Sequence, residues 1–121
     1  MLTKKKESEG RIVNYDKIRD EINTFVDERD WEQFHSPKNL SMALSVEAAE
    51  LVEIFQWHKQ EEYKENEEKV VNAVKDEVAD IFYYVVRMCQ KMNINLEEAF
   101  FEKMEKNRQK HLIDKVKGKS T

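Results

Sequence analysis

The sequence predicts an all-α protein, a compact four-helix bundle, on three observations. Two glycines and one proline in 121 residues leave too few turn-makers for a many-stranded sheet. Apolar residues recur at helical spacing in each long stretch, as in Ile18, Ile22, Phe25 and Val26. Charged residues make up 38% of the chain and hydrophobic ones 40%, the balance of helices with one dry and one wet face.

The elements follow in order. Residues 1–12 are polar and are expected to be a flexible N-terminal segment. A first helix is expected from about Tyr15 to Arg29. Asp30 to Asn39 reads as an aromatic-rich connection with Trp31, Phe34, His35 and the proline. Ser36-Pro37 forms a helix start, with serine as N-cap and proline in the first turn. It opens a second helix to about His58. Residues 60–67 are so polar that they read as a turn. A third helix follows from about Glu68 to Met92. Asn95, with Glu98 three residues on, resembles a capping box and opens a fourth helix to about Gln109. The basic tail 111–121 is expected to be flexible, which leaves residues 13–110 as the domain.

A formal charge of −4 does not describe a general nucleic-acid binder, and no nucleic-acid polymer is expected as a partner. The distribution of charge says more. Residues 47–80 carry eleven acids against four lysines, and residues 100–121 carry seven lysines or arginines against three acids. Such a chain could hold a metal at its centre and a polyanion near its end, although solvated faces produce the same runs. The single Cys89 forms no intramolecular disulfide and fits a reducing compartment. The longest apolar run, Ile81 to Val86, is too short to span a membrane, and no apolar signal region follows the N-terminus. The expected location is the cytoplasm.

The most informative feature is a pair of matched acidic motifs, Glu47-Ala48-Ala49-Glu50 and Glu77-Val78-Ala79-Asp80. At about 100° per residue, Glu47 falls within the stripe of Leu40, Leu44, Leu51, Ile54 and Phe55. Glu77 falls likewise among Val70, Val74, Ile81, Tyr84, Val85 and Met88. Glu50 and Asp80 border those stripes. Carboxylates on a buried face cost several kcal/mol each unless paired or bound to a metal. Four of them, at one spacing on two helices, ask for a cation. Helical bundles commonly assemble metal sites in this way.

An all-oxygen donor set suits Mg²⁺ or Mn²⁺ and is a poor match for zinc. A carboxylate-bridged di-iron protein would need a Glu-x-x-His pair on each of two helices, and of His35, His58 and His111 only His35 stands three residues after a glutamate, Glu32. Hard cations of this kind usually bind together with a phosphorylated substrate, where they activate a water against phosphorus. The other class that the residues leave open is a non-catalytic helical interaction module. In it Trp31 and Trp57 would be core or interface residues, and the tail after Lys110 only a solubilising end.

The stretch Arg29-Asp-Trp-Glu-Gln-Phe-His-Ser-Pro-Lys-Asn-Leu40, with Glu47-x-x-Glu50, Phe55-Gln-Trp57, Glu77-x-x-Asp80 and Lys103-Met-x-x-Asn107-Arg108, closely resembles the MazG-like nucleoside triphosphate pyrophosphohydrolases. Within them it is most similar to the dCTP pyrophosphatase branch. One departure is that Ser45 to Ala49 lacks the glycines that many relatives carry there, which bears on packing more than on ligation. The resemblance implies Mg²⁺-dependent hydrolysis of a dNTP, dCTP or a modified dCTP favoured, to dNMP and pyrophosphate in nucleotide-pool house-cleaning. It implies Glu47, Glu50, Glu77 and Asp80 as metal ligands and catalytic residues. It implies phosphate or sugar contacts from Lys103, Asn107 and Arg108, substrate contact from Tyr84, and a base pocket of Trp31 and Trp57 with Phe34 and His35 nearby. A homo-oligomer, a dimer or a dimer of dimers (a homotetramer), is implied as well.

Overall fold

The structure is a computed structural model, and it describes residues 12–119. The expected flexible segment 1–12 therefore lies outside the described residues except for Ile12, as do Ser120 and Thr121 of the tail. Among the described residues the chain is all-α, with six α-helices, one 3-10 turn and no strand. None of these helices is long and apolar enough to cross a membrane. The chain divides into two compact units, Met1–His35 and Ser36–Thr121.

In the first unit, α1 spans Tyr15–Glu28. Asn14 caps it, its side chain accepting from the Lys17 N–H at 3.1 Å. Ile22 and Val26, one turn apart, are its buried residues. The helix stops where Asp30 takes a left-handed φ of 54°, a conformation that Asp tolerates better than most residues. The Trp31 N–H then folds back onto the Val26 carbonyl at 3.1 Å. Glu32–Phe34 forms the 3-10 turn. Trp31 and Phe25 meet at a steep, edge-type angle with centroids 5.5 Å apart, and the Arg29 guanidinium lies over the Phe25 ring at 3.9 Å.

In the second unit, α2 spans Pro37–Phe55, with Ser36 as N-cap accepting from the Asn39 N–H at 3.1 Å and Pro37 in the first turn. It ends three residues before the expected His58. The stretch expected to be a turn instead folds as a short helix, α3, Gln60–Glu65. Its Gln, Glu and Lys residues are good helix formers, and Glu61 and Glu62 complement the positive N-terminal end. Tyr63 anchors it. Its hydroxyl sits 2.7 Å from both the Phe55 and His58 carbonyl oxygens, and its ring meets Phe55 edge to face at 5.0 Å.

The long helix α4 spans Glu67–Met92, about 39 Å at 1.5 Å per residue. Asn93 closes it in the left-handed region at φ 54°, and the Ile94 N–H reaches back to the Cys89 carbonyl at 2.8 Å. Asn95 caps α5, Leu96–Lys110, accepting from the Glu98 N–H at 3.0 Å. A single turn of helix, α6, follows at Ile113–Val116 within the basic tail. The main packing of the unit is α2 against α4, antiparallel through the short α3 connection. Leu40 on α2 and Val86 and Cys89 on α4 are buried. Arg87 is buried too, and its Nη1 donates to Gln90 Oε1 at 2.9 Å.

Candidate functional site

The two acidic motifs meet where α2 and α4 face each other. Glu47, Glu77 and Asp80 each offer a carboxylate oxygen, and these three atoms lie within 4.8 Å of one another. Glu47 and Glu77 are half-buried and Asp80 is exposed, so the cluster opens to solvent on the Asp80 side. Glu47 Oε2 and Glu77 Oε2 are fully shielded and meet no hydrogen-bond donor. Glutamates stand at such a helix interface only because each lies one turn from apolar neighbours that commit its helix to that contact: Leu44 and Leu51 around Glu47, Val74 and Ile81 around Glu77.

Crowding of like charges controls the electrostatics. The hydrogen bond shared with Glu77, then burial and the nearby charges of Glu50 and Asp80, push the Glu47 carboxyl from the ordinary 4.5 up to about 7. For Glu77 the same shared proton acts downward, because Glu77 is the acceptor. Burial and the charges of Glu50 and Asp80 outweigh it and leave Glu77 raised. Fully ionised, the two side chains only repel; a proton held between them relieves this, and so would a cation. Two orphaned oxygens beside a third, all hard donors, fit a divalent cation such as Mg²⁺ or Mn²⁺.

Glu50, expected as a fourth ligand, is exposed and lies outside this triad, yet close enough for its carboxylate to act on both Glu47 and Glu77. Tyr84, one turn beyond Asp80, is brought to the cluster. Burial and the charges of Glu47 and Asp80 raise its hydroxyl above the usual value.

The remaining expected residues stand elsewhere. Lys103, Asn107 and Arg108 are carried by α5, which makes no packing comparable to that between α2 and α4. No hydrogen bond or ion pair among the described residues joins them to the acids, and Arg108 pairs with Glu105 at 3.3 Å. Trp57 sits in the turn after α2 and is 80% exposed, an unusual posture for a large aromatic with only a structural duty. Trp31, Phe34 and His35 belong to the first unit, where Trp31 and His35 are ring neighbours at 6.4 Å. Two features had little warning in the sequence. His58 Nδ1 pairs with Glu62 Oε2 at 2.8 Å, and its i,i+4 spacing was concealed by the expectation of a turn. Tyr63 was visible only as the lone aromatic in an acidic stretch.

Comparison with known proteins points to one family. Residues 42–121 match the family described as MazG-like. A 96-residue stretch is 38% identical to dCTP pyrophosphatase 1 of Rattus norvegicus, covering 78% of this chain and 56% of the rat protein. The corresponding human protein is 37% identical over 92 residues, 72% of this chain and 52% of its own length. The chain thus spans about half the length of the curated relatives it matches. It also resembles the crystal structure of a pyrophosphatase from Archaeoglobus fulgidus, with a TM-score of 0.74 and 37% identity, over 84% of this chain and 99% of that one. Since the matched segment covers more than half of the chain and contains both acidic motifs, the chain belongs to the MazG-like family.

Proposed function

We propose that this protein is a nucleoside triphosphate pyrophosphohydrolase that depends on a divalent cation, Mg²⁺ or Mn²⁺. It cleaves dNTPs, dCTP or a modified dCTP foremost, between the α- and β-phosphates to give dNMP and pyrophosphate. The observation that carries this reading is the triad of Glu47, Glu77 and Asp80 with its two orphaned oxygens. The relatives named as pyrophosphatases support the reaction class, and the dCTP pyrophosphatases support the base preference. Residues 13–110 are the catalytic domain in this reading.

Glu47, Glu77 and Asp80 would hold the cation, with Glu50 completing the set from the edge. When bound, the cation supplies charge that offsets the phosphates and makes a water acidic enough to attack phosphorus. The chain's own groups do the rest. One carboxylate of the four accepts the proton that the attacking water gives up. Tyr84 donates to a phosphate oxygen or the sugar. Lys103, Asn107 and Arg108 bind the polyphosphate, and Trp57 stacks on the base with contacts from Trp31, Phe34 and His35. The last two groups join the acids in a homo-oligomer. That reading is supported by the apolar side chains that one chain leaves exposed, Met42 and Val46 on α2 and Phe100 and Phe101 on α5.

The test is product analysis with each dNTP and NTP, with Mg²⁺ and with EDTA, separating pyrophosphate from orthophosphate. Mg²⁺-dependent dNMP and pyrophosphate are expected. Orthophosphate with dNDP would move the attack to the γ-phosphorus, and no turnover of any nucleotide would leave the helical interaction module.

A further inference from the structure

The backbone around Trp31 is held more firmly than the end of a helix requires. The peptide unit that joins Asp30 to Trp31 is bound at both of its polar ends. Its N–H, on Trp31, donates to the Val26 carbonyl at 3.1 Å, and its carbonyl, on Asp30, accepts from Gln33 Nε2 at 3.0 Å. The same Nε2 donates to Asp30 Oδ2 at 3.0 Å, so the two hydrogens of one amide serve both oxygens. The next peptide is held too, because the Phe34 N–H donates to the Trp31 carbonyl at 2.9 Å. Asp30 meanwhile sits at φ 54°, a left-handed backbone that costs free energy and persists where its surroundings hold it. With both flanking peptides fixed, Trp31 keeps little backbone freedom, and its ring rests against Phe25, itself under the Arg29 guanidinium. Yet Trp31 is 40% exposed. An aromatic that is fixed but uncovered is a surface prepared for another flat group.

We propose that Gln33 is a positioning residue: its side-chain amide fixes the Asp30–Trp31 peptide and so sets the Trp31 ring in place before the nucleotide arrives. The inference rests on the pyrophosphohydrolase reading, in which Trp31 contacts the base, and adds to it a residue that touches no substrate itself. A side chain free to move must be ordered on binding, at a cost to affinity, and one already fixed binds without that loss. Gln33 suits the role because its one amide meets the backbone and the carboxylate of Asp30 together, which a serine or an aspartate, lacking a pair of N–H donors, does not do. Gln33 is exposed and takes no part in the core. Removing its donors therefore leaves Ile22 and Val26, the buried residues of α1, untouched.

Fluorescence and kinetics on the full chain test this. Trp57→Phe leaves Trp31 as the single tryptophan, and its time-resolved anisotropy without nucleotide reads how freely the ring moves. In that background Trp31 should turn with the protein as a whole, and a dominant fast component would overturn the proposal at once. Gln33→Met keeps the length, removes both N–H donors and should raise the fast component at least about twofold. Gln33→Lys restores a donor and should return it to the parent value. With Trp57 in place, Gln33→Met should raise KM for dCTP about three- to tenfold, with kcat held within about twofold. A Gln33 that only stabilised the end of α1 would lower the melting temperature and leave both KM and the motion of the ring alone. Should Gln33→Met fail to fold by circular dichroism, Gln33→Glu decides, since it keeps a polar side chain and loses the donors. Unchanged anisotropy or an unchanged KM in a folded variant would overturn the role of Gln33 and leave the hydrolase standing, and so would a fall in kcat at constant KM. No hydrolysis of any dNTP by the wild type would overturn the parent reading and this inference with it.

Discussion

Cation affinity should depend on pH in a range where ordinary carboxylates no longer titrate. The perturbation is a change from pH 8 to pH 6 on the nucleotide-free protein. Glu47 holds its proton up to about pH 7, because Glu77 shares it and Glu50 and Asp80 repel the ionised form. A cation seated between Glu47 and Glu77 must displace that proton. At pH 8 about one site in ten is protonated, and at pH 6 about ten in eleven, so the apparent Kd for Mn²⁺ should weaken about tenfold between them. A cluster whose carboxyls all titrate at the ordinary 4.5 would show a change of only a few per cent over that interval. The raised Glu77 carboxyl can only steepen the dependence. Isothermal titration calorimetry at pH 8, 7 and 6, in two buffers of different ionisation enthalpy, measures the affinity and the proton released together. Equal affinity at pH 6 and pH 8 with no proton release would refute the argument, since the cation would then be binding away from Glu47.

Four further outcomes are expected. In EDTA at pH 8, Glu47→Gln should melt at a higher temperature than the wild type because it removes a crowded charge, and it should show no Mg²⁺-induced shift and no turnover; a lower melting temperature or a retained shift would count against the site. A carboxyl raised on folding stabilises fully below its unfolded value of 4.5 and loses that contribution as pH climbs through about 7, so in EDTA the wild type should lose ground to Glu47→Gln across this window, as thermal melts at several pH values would show. Trp57→Ala removes a side chain that is 80% exposed, so the fold should hold while KM for dCTP rises roughly tenfold; an unchanged KM would end its stacking role. Val86→Ala empties space at a residue with no exposed surface and should cost about 2 kcal/mol in urea unfolding with the m-value unchanged, whereas a loss within error would mean that Val86 is not packed as described.

Much of this was legible in the sequence, for reasons particular residues make plain. Asn95 and Ser36 were readable as caps because a short polar side chain has one strong use before an apolar period, and both accept the expected N–H. The acidic pairs were readable because their spacing put charge on faces that the surrounding leucines and valines had already committed to contact. The end of α2 was not. Helical periodicity runs on through Trp57, and what stops the helix is Tyr63, eight residues after Phe55, taking up the Phe55 and His58 carbonyls. No local pattern announces a bond of that reach. Glu50 and Asp80, each about 60° off its stripe, read as bordering positions, and in the fold both are exposed. Arg87 escaped attention because a lone arginine in an apolar period looks like a residue that reaches water, and it does not.

The Tyr63 tie also divides the connection between the paired helices into two stretches with different freedom to vary. From Phe55 to Tyr63 the backbone is closed into a ring by one hydroxyl and one edge-to-face ring contact, so an insertion there would pull the tie apart and swing Trp57 and His58 out of register. From Lys64 to Asn66 the chain only completes the last turn of α3 and crosses to α4. A tag, a reporter or a few extra residues belongs in that second stretch, where the helix pair and its acids would not register the change.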